Sequence, residues 1–252
     1  LSGRLVILGL GPGDTALRTP QTDVALAEAT DLVGYAPYLV RVPPRAGQRR
    51  HPSGNGDELD RARHALSLAS DGRHVAVVSG GDPGVFGMAS AVFAAIEHGE
   101  PAWRALDVQV LPGVSALFAA AARLGAPLGH DFCVISLSDN LKPWDVVCAR
   151  LRAAADTGLV IALYNVASRA RPWQLGAALD LLRGILPAAT PVVFAHAITR
   201  PDEIIDISDL CRADPARADM RTLVLVGSRE TRLIARDGQK PWIYAPRSAP
   251  AA

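Results

Sequence analysis

The chain has 252 residues, 49% of them apolar and 20% charged, enough for one large or two ordinary cores, since domains commonly hold roughly 100–200 residues. That apolar fraction excludes wholesale disorder. Lysine plus arginine is 26 and aspartate plus glutamate is 25, a formal net charge of +1, which excludes a polycation of the histone or ribosomal kind.

Short apolar runs alternate along the chain with longer helical patterns. The runs Arg4–Leu8, Val75–Ser79, Val108–Leu111, Phe132–Leu137, Leu159–Tyr164, Val192–Ala195 and Thr222–Gly227 are β-branched or leucine-rich and predict strands. Helical patterns span Thr19–Ala29, Asp57–Ser70, Met88–Glu97, Ala116–Leu124, Trp144–Thr157 and Trp173–Leu186. This alternation predicts an α/β protein. Pro112-Gly113 and Gly125-Ala126-Pro127 flank an alanine-rich helix, and the division is placed there, giving two α/β domains, 1–112 and 113–252.

Three cysteines, Cys133, Cys148 and Cys211, are odd in number and lack zinc-ligand spacing, so no metal site is expected and a reducing, cytoplasmic setting fits. The five histidines outside residue 51, His196 among them, are scattered and read as structural or solvated. No apolar run reaches about 18 residues free of charges and turn formers, and the first residues lack a signal-peptide pattern. Neither a membrane nor a nucleic acid is expected as a partner.

Three loops carry the chemistry. Gly9-Leu10-Gly11-Pro12-Gly13-Asp14 follows the first strand. It fails as a nicotinamide-binding fingerprint, because the third glycine is Gly13 rather than residue 14 and Pro12 lacks the N–H a pyrophosphate would take. A plain tight turn remains an alternative. Ser79-Gly80-Gly81-Asp82-Pro83-Gly84-Val85-Phe86-Gly87 lies between strand and helix, where open α/β sheets bind ligands. Asp82 there is either a ligand acceptor or a turn aspartate. The third is Pro112-Gly113-Val114-Ser115-Ala116, with Ser115 readable as a helix cap.

In this order the three loops resemble the tetrapyrrole methyltransferase family, the class III S-adenosylmethionine enzymes. The resemblance continues through Ala162-Leu163-Tyr164-Asn165, Thr199-Arg200-Pro201-Asp202-Glu203 and Met220-Arg221-Thr222-Leu223-Val224-Leu225-Val226-Gly227, nearly the whole chain. Asp31-Leu32-Val33-Gly34-Tyr35, Gly129 to Asp139, Pro143-Trp144 and Leu163-Tyr164-Asn165 with Ser168 and Arg169 resemble the branch that methylates C17 of precorrin-3B and contracts the ring. Gly227-Ser228-Arg229 departs from the Gly-Asn of many relatives.

The resemblance implies a tetrapyrrole methylase fold, two α/β domains with the cofactor in the cleft between them. It implies S-adenosylmethionine as methyl donor, S-adenosylhomocysteine as product, a small tetrapyrrole substrate and a homodimer. Carried over by motif, the cofactor contacts would be Pro12, Gly80, Gly81, Asp82, Val85, Ser115, Ala116, Asn165 and Ala197, with Thr222 nearby. Methyl transfer from a sulfonium needs alignment and water exclusion more than acid–base help. Ring contraction moves protons, and Asp14, Asp139 and Ser138, then His51, are the candidates. Arg41, Arg45 and Arg49, in a stretch with four arginines and no acid, would meet the substrate's carboxylates with His51. Arg169 and Arg171 would assist, and Trp144 would pack on the macrocycle. Alternatives are a methyltransferase acting at another carbon or on a cobalt-containing ring, and a noncatalytic tetrapyrrole-binding protein.

Overall fold

Leu5, Ile7, Val75 and Val77 face one way, and Val6, Leu8, Ala76 and Val78 face the other. Both sets are buried, as a parallel strand covered on both faces requires. In the computed structural model, which describes residues 3–168 and 172–248, these residues form the centre of an open sheet. The chain divides into two units, Leu1–Ser115 and Ala116–Ala252.

In the first unit, β1 (Arg4–Gly9), β2 (Asp31–Tyr35), β3 (Arg49–Ser53), β4 (His74–Ser79) and β5 (Asp107–Leu111) form one sheet in the order β3-β2-β4-β1-β5. All pairings are parallel, so every carboxyl end lies along one edge. The helices are α1 (Pro20–Glu28), α2 (Ala36–Leu39), α3 (Glu58–Ser70) and α4 (Met88–His98). Helix α1 starts where Thr19 caps Thr22 N–H with its hydroxyl and Pro20 takes the first turn. One face of the sheet packs Leu66, Met88 and Val92 from α3 and α4, and the other packs Ala25, Leu26, Leu39 and Val42.

The second unit opens with α5 (Ala116–Leu124) and β6 (Gly125–Ala126). Its main sheet runs β10-β9-β11-β8-β7. These are β7 (Phe132–Ser136), β8 (Val160–Tyr164), β9 (Pro191–His196), β10 (Ile204–Asp209) and β11 (Thr222–Val226). β7 and β8 are parallel, while β11 is antiparallel to both β8 and β9. The carboxyl ends of β7, β8 and β9 therefore share an edge with the start of β11. Helices α6 (Trp144–Asp156) and α7 (Gln174–Arg183) set Val147, Leu151, Leu175 and Leu179 against Ile161, Leu163, Phe194 and Val224. A hairpin of β12 (Arg232–Arg236) and β13 (Gln239–Tyr244) pairs with β6.

All seven strands and six helices read from the sequence are present, with ends shifted by at most a few residues. Among the described residues no helix is long and apolar enough to cross a membrane.

Candidate functional site

The carboxyl edge of the first sheet gathers all three glycine loops. Gly11 and Gly81 exchange backbone hydrogen bonds of 3.2 and 2.9 Å, and Leu10 N–H donates to Ser79 C=O. Gly9 and Gly113 meet main chain to main chain. A Cβ on Gly113 would lie 2.3 Å from Gly81 O, and one on Gly9 would lie 2.8 Å from Gly113 Cα. A side chain at Gly80 would strike the Tyr38 ring at 2.7 Å. These glycines serve first to let three backbones and one ring close together.

Asp82 ties two of the loops. Its Oδ1 accepts from Gly84 N–H at 2.8 Å and its Oδ2 from Gly113 N–H at 3.0 Å. Pro12 is buried and Val85 half-buried. Phe86, beside it, holds a bulky side chain at φ 52° with the ring half exposed. Such a conformation costs of order 1–3 kcal/mol and is retained where surroundings enforce it. Asp14 is exposed at the loop tip, where its carboxylate caps Ala16 N–H at 2.9 Å.

The proposed arginine arm is divided by the fold. Arg41 turns back onto the first loop, its Nη2 donating to Leu10 O, Gly11 O and Gly13 O at 3.0, 2.8 and 3.4 Å. Arg45 is exposed in the following turn. Arg49 begins β3 opposite Asp31, at the amino end of the sheet, away from the glycine loops. His51 is drawn to that same end: its Nε2 contacts the fully buried Asp31 carboxylate at 2.8 Å and its Nδ1 meets His64 Nε2 at 3.0 Å. Arg73 Nε and Thr30 Oγ1 also donate to Asp31, at 2.6 and 2.8 Å. Burial works to raise the Asp31 pKa, but the bonds from Arg73, His51 and Thr30 outweigh it and hold it below the usual value.

The second unit has its own cluster at the shared strand edge. Asn165 follows β8 at φ 54°, and its amide donates to Ser136 Oγ at 2.8 Å. Ala197 follows β9 at φ 46°, with Thr199 at φ 64° two residues on. Thr222 starts β11 in register with His196, buried. Ser115 is buried at the close of the first unit, and Ala116 opens α5, where Leu117 N–H donates to Tyr164 Oη at 3.0 Å.

Ser138 and Asp139 follow β7. Ser138 N–H donates to Ser136 Oγ, and Asp139 Oδ1 accepts from buried Gln174 at 3.3 Å. Lys142 Nζ donates to Ser136 O at 2.8 Å, which closes this loop over the strand end. Trp144 opens α6 and meets Trp173 edge to face, centroids 4.9 Å apart. Arg169 and Arg171 lie outside the described residues. Within each unit, the loops with the predicted cofactor residues thus come to one sheet edge.

The Cys133 thiol is pushed up to about 11 by burial, so it is no nucleophile at neutral pH. No group of three or more His, Cys, Asp or Glu side chains among the described residues is placed to hold a metal ion.

A family model for the Tetrapyrrole (Corrin/Porphyrin) Methylases matches residues 4–212. The chain belongs to this family. It is 55% identical to the precorrin-3B C(17)-methyltransferase of Sinorhizobium sp over 98% of this chain and 97% of that protein. Its structure superposes on the crystal structure of the methyltransferase CobJ with a TM-score of 0.92 and 51% identity, covering 97% of this chain and 100% of that one. The fold also matches uroporphyrin-III C-methyltransferase from Thermus thermophilus, solved with S-adenosylhomocysteine. That match has a TM-score of 0.68 and 24% identity, covering 89% of this chain and 97% of that one.

Within this tetrapyrrole methylase, two groups of residues have roles that the sequence did not assign to them. Tyr164 and Gln174 hold the start of α5 and Asp139. His196, Asp219 and Arg221 converge beside Ala197 and Thr222. The register of β9 against β11 brings His196 to Asp219 and Arg221, a pairing that no local motif announces.

Proposed function

We propose that this chain transfers a methyl group from S-adenosylmethionine to C17 of precorrin-3B, with contraction of the macrocycle to precorrin-4. The near-full-length identity to the Sinorhizobium C(17)-methyltransferase carries this reading. In the transfer the C17–methyl bond forms, the sulfur keeps the electron pair of the bond that breaks, and S-adenosylhomocysteine leaves. The sulfonium supplies its own activation, so the protein's part is to align the methyl with the ring carbon and exclude water.

The cofactor assignment rests on Pro12, Gly80, Gly81, Asp82, Val85, Ser115 and Ala116, and on Asn165, Ala197 and Thr222. The residues present suit that ligand. Left-handed backbone follows both β8, at Asn165, and β9, at Ala197; asparagine adopts it readily, while at Ala197 it is a strain that proteins retain at functional sites. The glycine loops keep side chains away, so adenosine and the amino-acid end meet backbone donors and acceptors.

For the contraction, Asp14, Asp139 and Ser138 are the groups assigned to proton movement. Arg45 is read as facing the substrate's carboxylates, with Trp144 as an apolar wall, while Arg41 is read as bracing the first glycine loop instead. Arg49 and His51, set toward the amino end of their sheet and away from the glycine loops, are not read with that rim. The near-neutral net charge supports a small-molecule partner over nucleic acid. The working form is read as a cytoplasmic homodimer.

The test is incubation with methyl-labelled S-adenosylmethionine and precorrin-3B. Label at C17 of a contracted ring is expected. Label at another carbon selects a related methyltransferase, and tight tetrapyrrole binding without label selects a noncatalytic binder.

A further inference from the structure

We propose that His196, Asp219 and Arg221 form a positioning network that holds Ala197 and Thr222 in the shape S-adenosylmethionine requires; this rests on the reading that those two residues contact the cofactor. Arg221 acts twice. Its carbonyl accepts from Ala197 N–H at 3.0 Å, while its Nη2 donates to His196 Nε2 at 3.0 Å. Its Nη1 reaches Asp202 Oδ2 at 2.6 Å on the far side of the turn.

A guanidinium has no acceptor, so His196 Nε2 accepts and Nδ1 carries the proton. Nδ1 donates to Asp219 Oδ1 at 3.1 Å. The same Oδ1 accepts from Thr222 Oγ1 at 2.9 Å and from Arg221 N–H at 2.8 Å. One carboxylate oxygen thereby fixes the imidazole tautomer, the Thr222 hydroxyl and the start of β11. The imidazole in turn fixes the Arg221 side chain across the turn that carries Ala197.

Ala197 is 3% exposed and left-handed. An alanine gains nothing from that conformation by itself. The turn is closed further by Arg200 N–H on Ala197 O, at 2.9 Å, and by Glu203 on Thr199 N–H, at 2.6 Å. The surroundings over-determine the strained residue, as happens where backbone geometry is part of a site. His196, a scattered histidine in the sequence, thereby gains a task without touching the ligand.

The test uses S-adenosylhomocysteine as probe and the full chain. Calorimetry gives its Kd, and amide NMR shows whether the Ala197 and Thr222 signals move on titration. In the unsubstituted protein both signals move. His196→Leu raises the Kd about tenfold. The KM for S-adenosylmethionine rises in step, with kcat and the tetrapyrrole KM nearly unchanged. His196→Asn, whose amide can still donate to Asp219, recovers most of the affinity. Asp219→Asn is read in the same way and stands in if His196→Leu does not fold. Moving signals with an unchanged Kd in these variants overturn the network. Ligand binding that leaves both signals in place overturns the site reading beneath it. A fall in kcat alone also overturns the network, since positioning of cofactor predicts a change in KM.

Discussion

Arg41 illustrates how one side chain's task is set by the groups its neighbours present. The first glycine loop has closely packed backbone, and three of its carbonyls face the same side. All three contacts run from one charged nitrogen, Nη2, on a long side chain that returns from beyond α2 to the loop. Charged donors on backbone carbonyls are among the stronger hydrogen bonds, each contributing roughly 1.5–3 kcal/mol, less where solvent reaches and geometry is long. Arg41→Met keeps the apolar stem and removes all three. The expected loss is about 2 kcal/mol in urea unfolding, together with a raised KM for S-adenosylmethionine. Unchanged stability with a raised tetrapyrrole KM alone would return Arg41 to the role of a substrate arm. Asp82 poses the same choice between ligand and loop, and both of its oxygens already hold backbone N–H groups.

At the scale of elements, β3 is the strand that composition conceals. Its sequence, Arg49-Arg50-His51-Pro52-Ser53, is polar and lies on a sheet edge, where proline and charge are tolerated. What holds it is the pairing to β2 and the buried Asp31 contact, both long-range. The central strands were legible because a strand buried on both faces must be a continuous apolar run. The β12–β13 hairpin carried its signal, Asp237-Gly238 with Gly238 at φ 64°, but in a stretch of charged residues. The glycine loops were legible because close backbone approach admits little else, whereas the His196 network depends on register. The Asp31 cluster has a pH signature. Partial desolvation of its ring, then the nearby charge of His51, lower the His64 pKa from 6.5. Below about that value the unfolded chain binds more protons than the folded one, so stability falls as pH falls. Asp31, whose pKa is lowered from 3.8, contributes stability above that value and loses it only in stronger acid. Urea unfolding at pH 7.5 and 5.5 separates the two. The native chain should lose more stability over that interval than His64→Asn, and equal losses would remove His64 from the account.

At the scale of the whole molecule, the proposed cofactor residues fall in both units: Pro12 to Ser115 in one, Ala116 to Thr222 in the other. A ligand that binds only folded protein stabilises it by mass action, about 2.7 kcal/mol at a hundredfold excess over Kd. For a chain of this size each kcal/mol moves the unfolding temperature by roughly 2–4 °C, so S-adenosylhomocysteine should raise it by about 5–10 °C. Two units can unfold separately, and then a single midpoint hides which one is held. Hydrogen exchange resolves this, because it reads opening segment by segment. Protection is expected at Gly80–Val85 and, equally, at Asn165 and at Ala197 to Thr199. These left-handed turns should exchange faster than the strands they follow until ligand is present, since their hydrogen bonds close short turns rather than ladders. Protection confined to the first unit would remove Ala116, Asn165, Ala197 and Thr222 from the cofactor assignment, and with them the need for the His196 network, whereas protection confined to the second would remove Pro12 to Ser115. Protection in both would mean that binding energy is drawn from both units at once, which leaves less of the ligand open to water during methyl transfer.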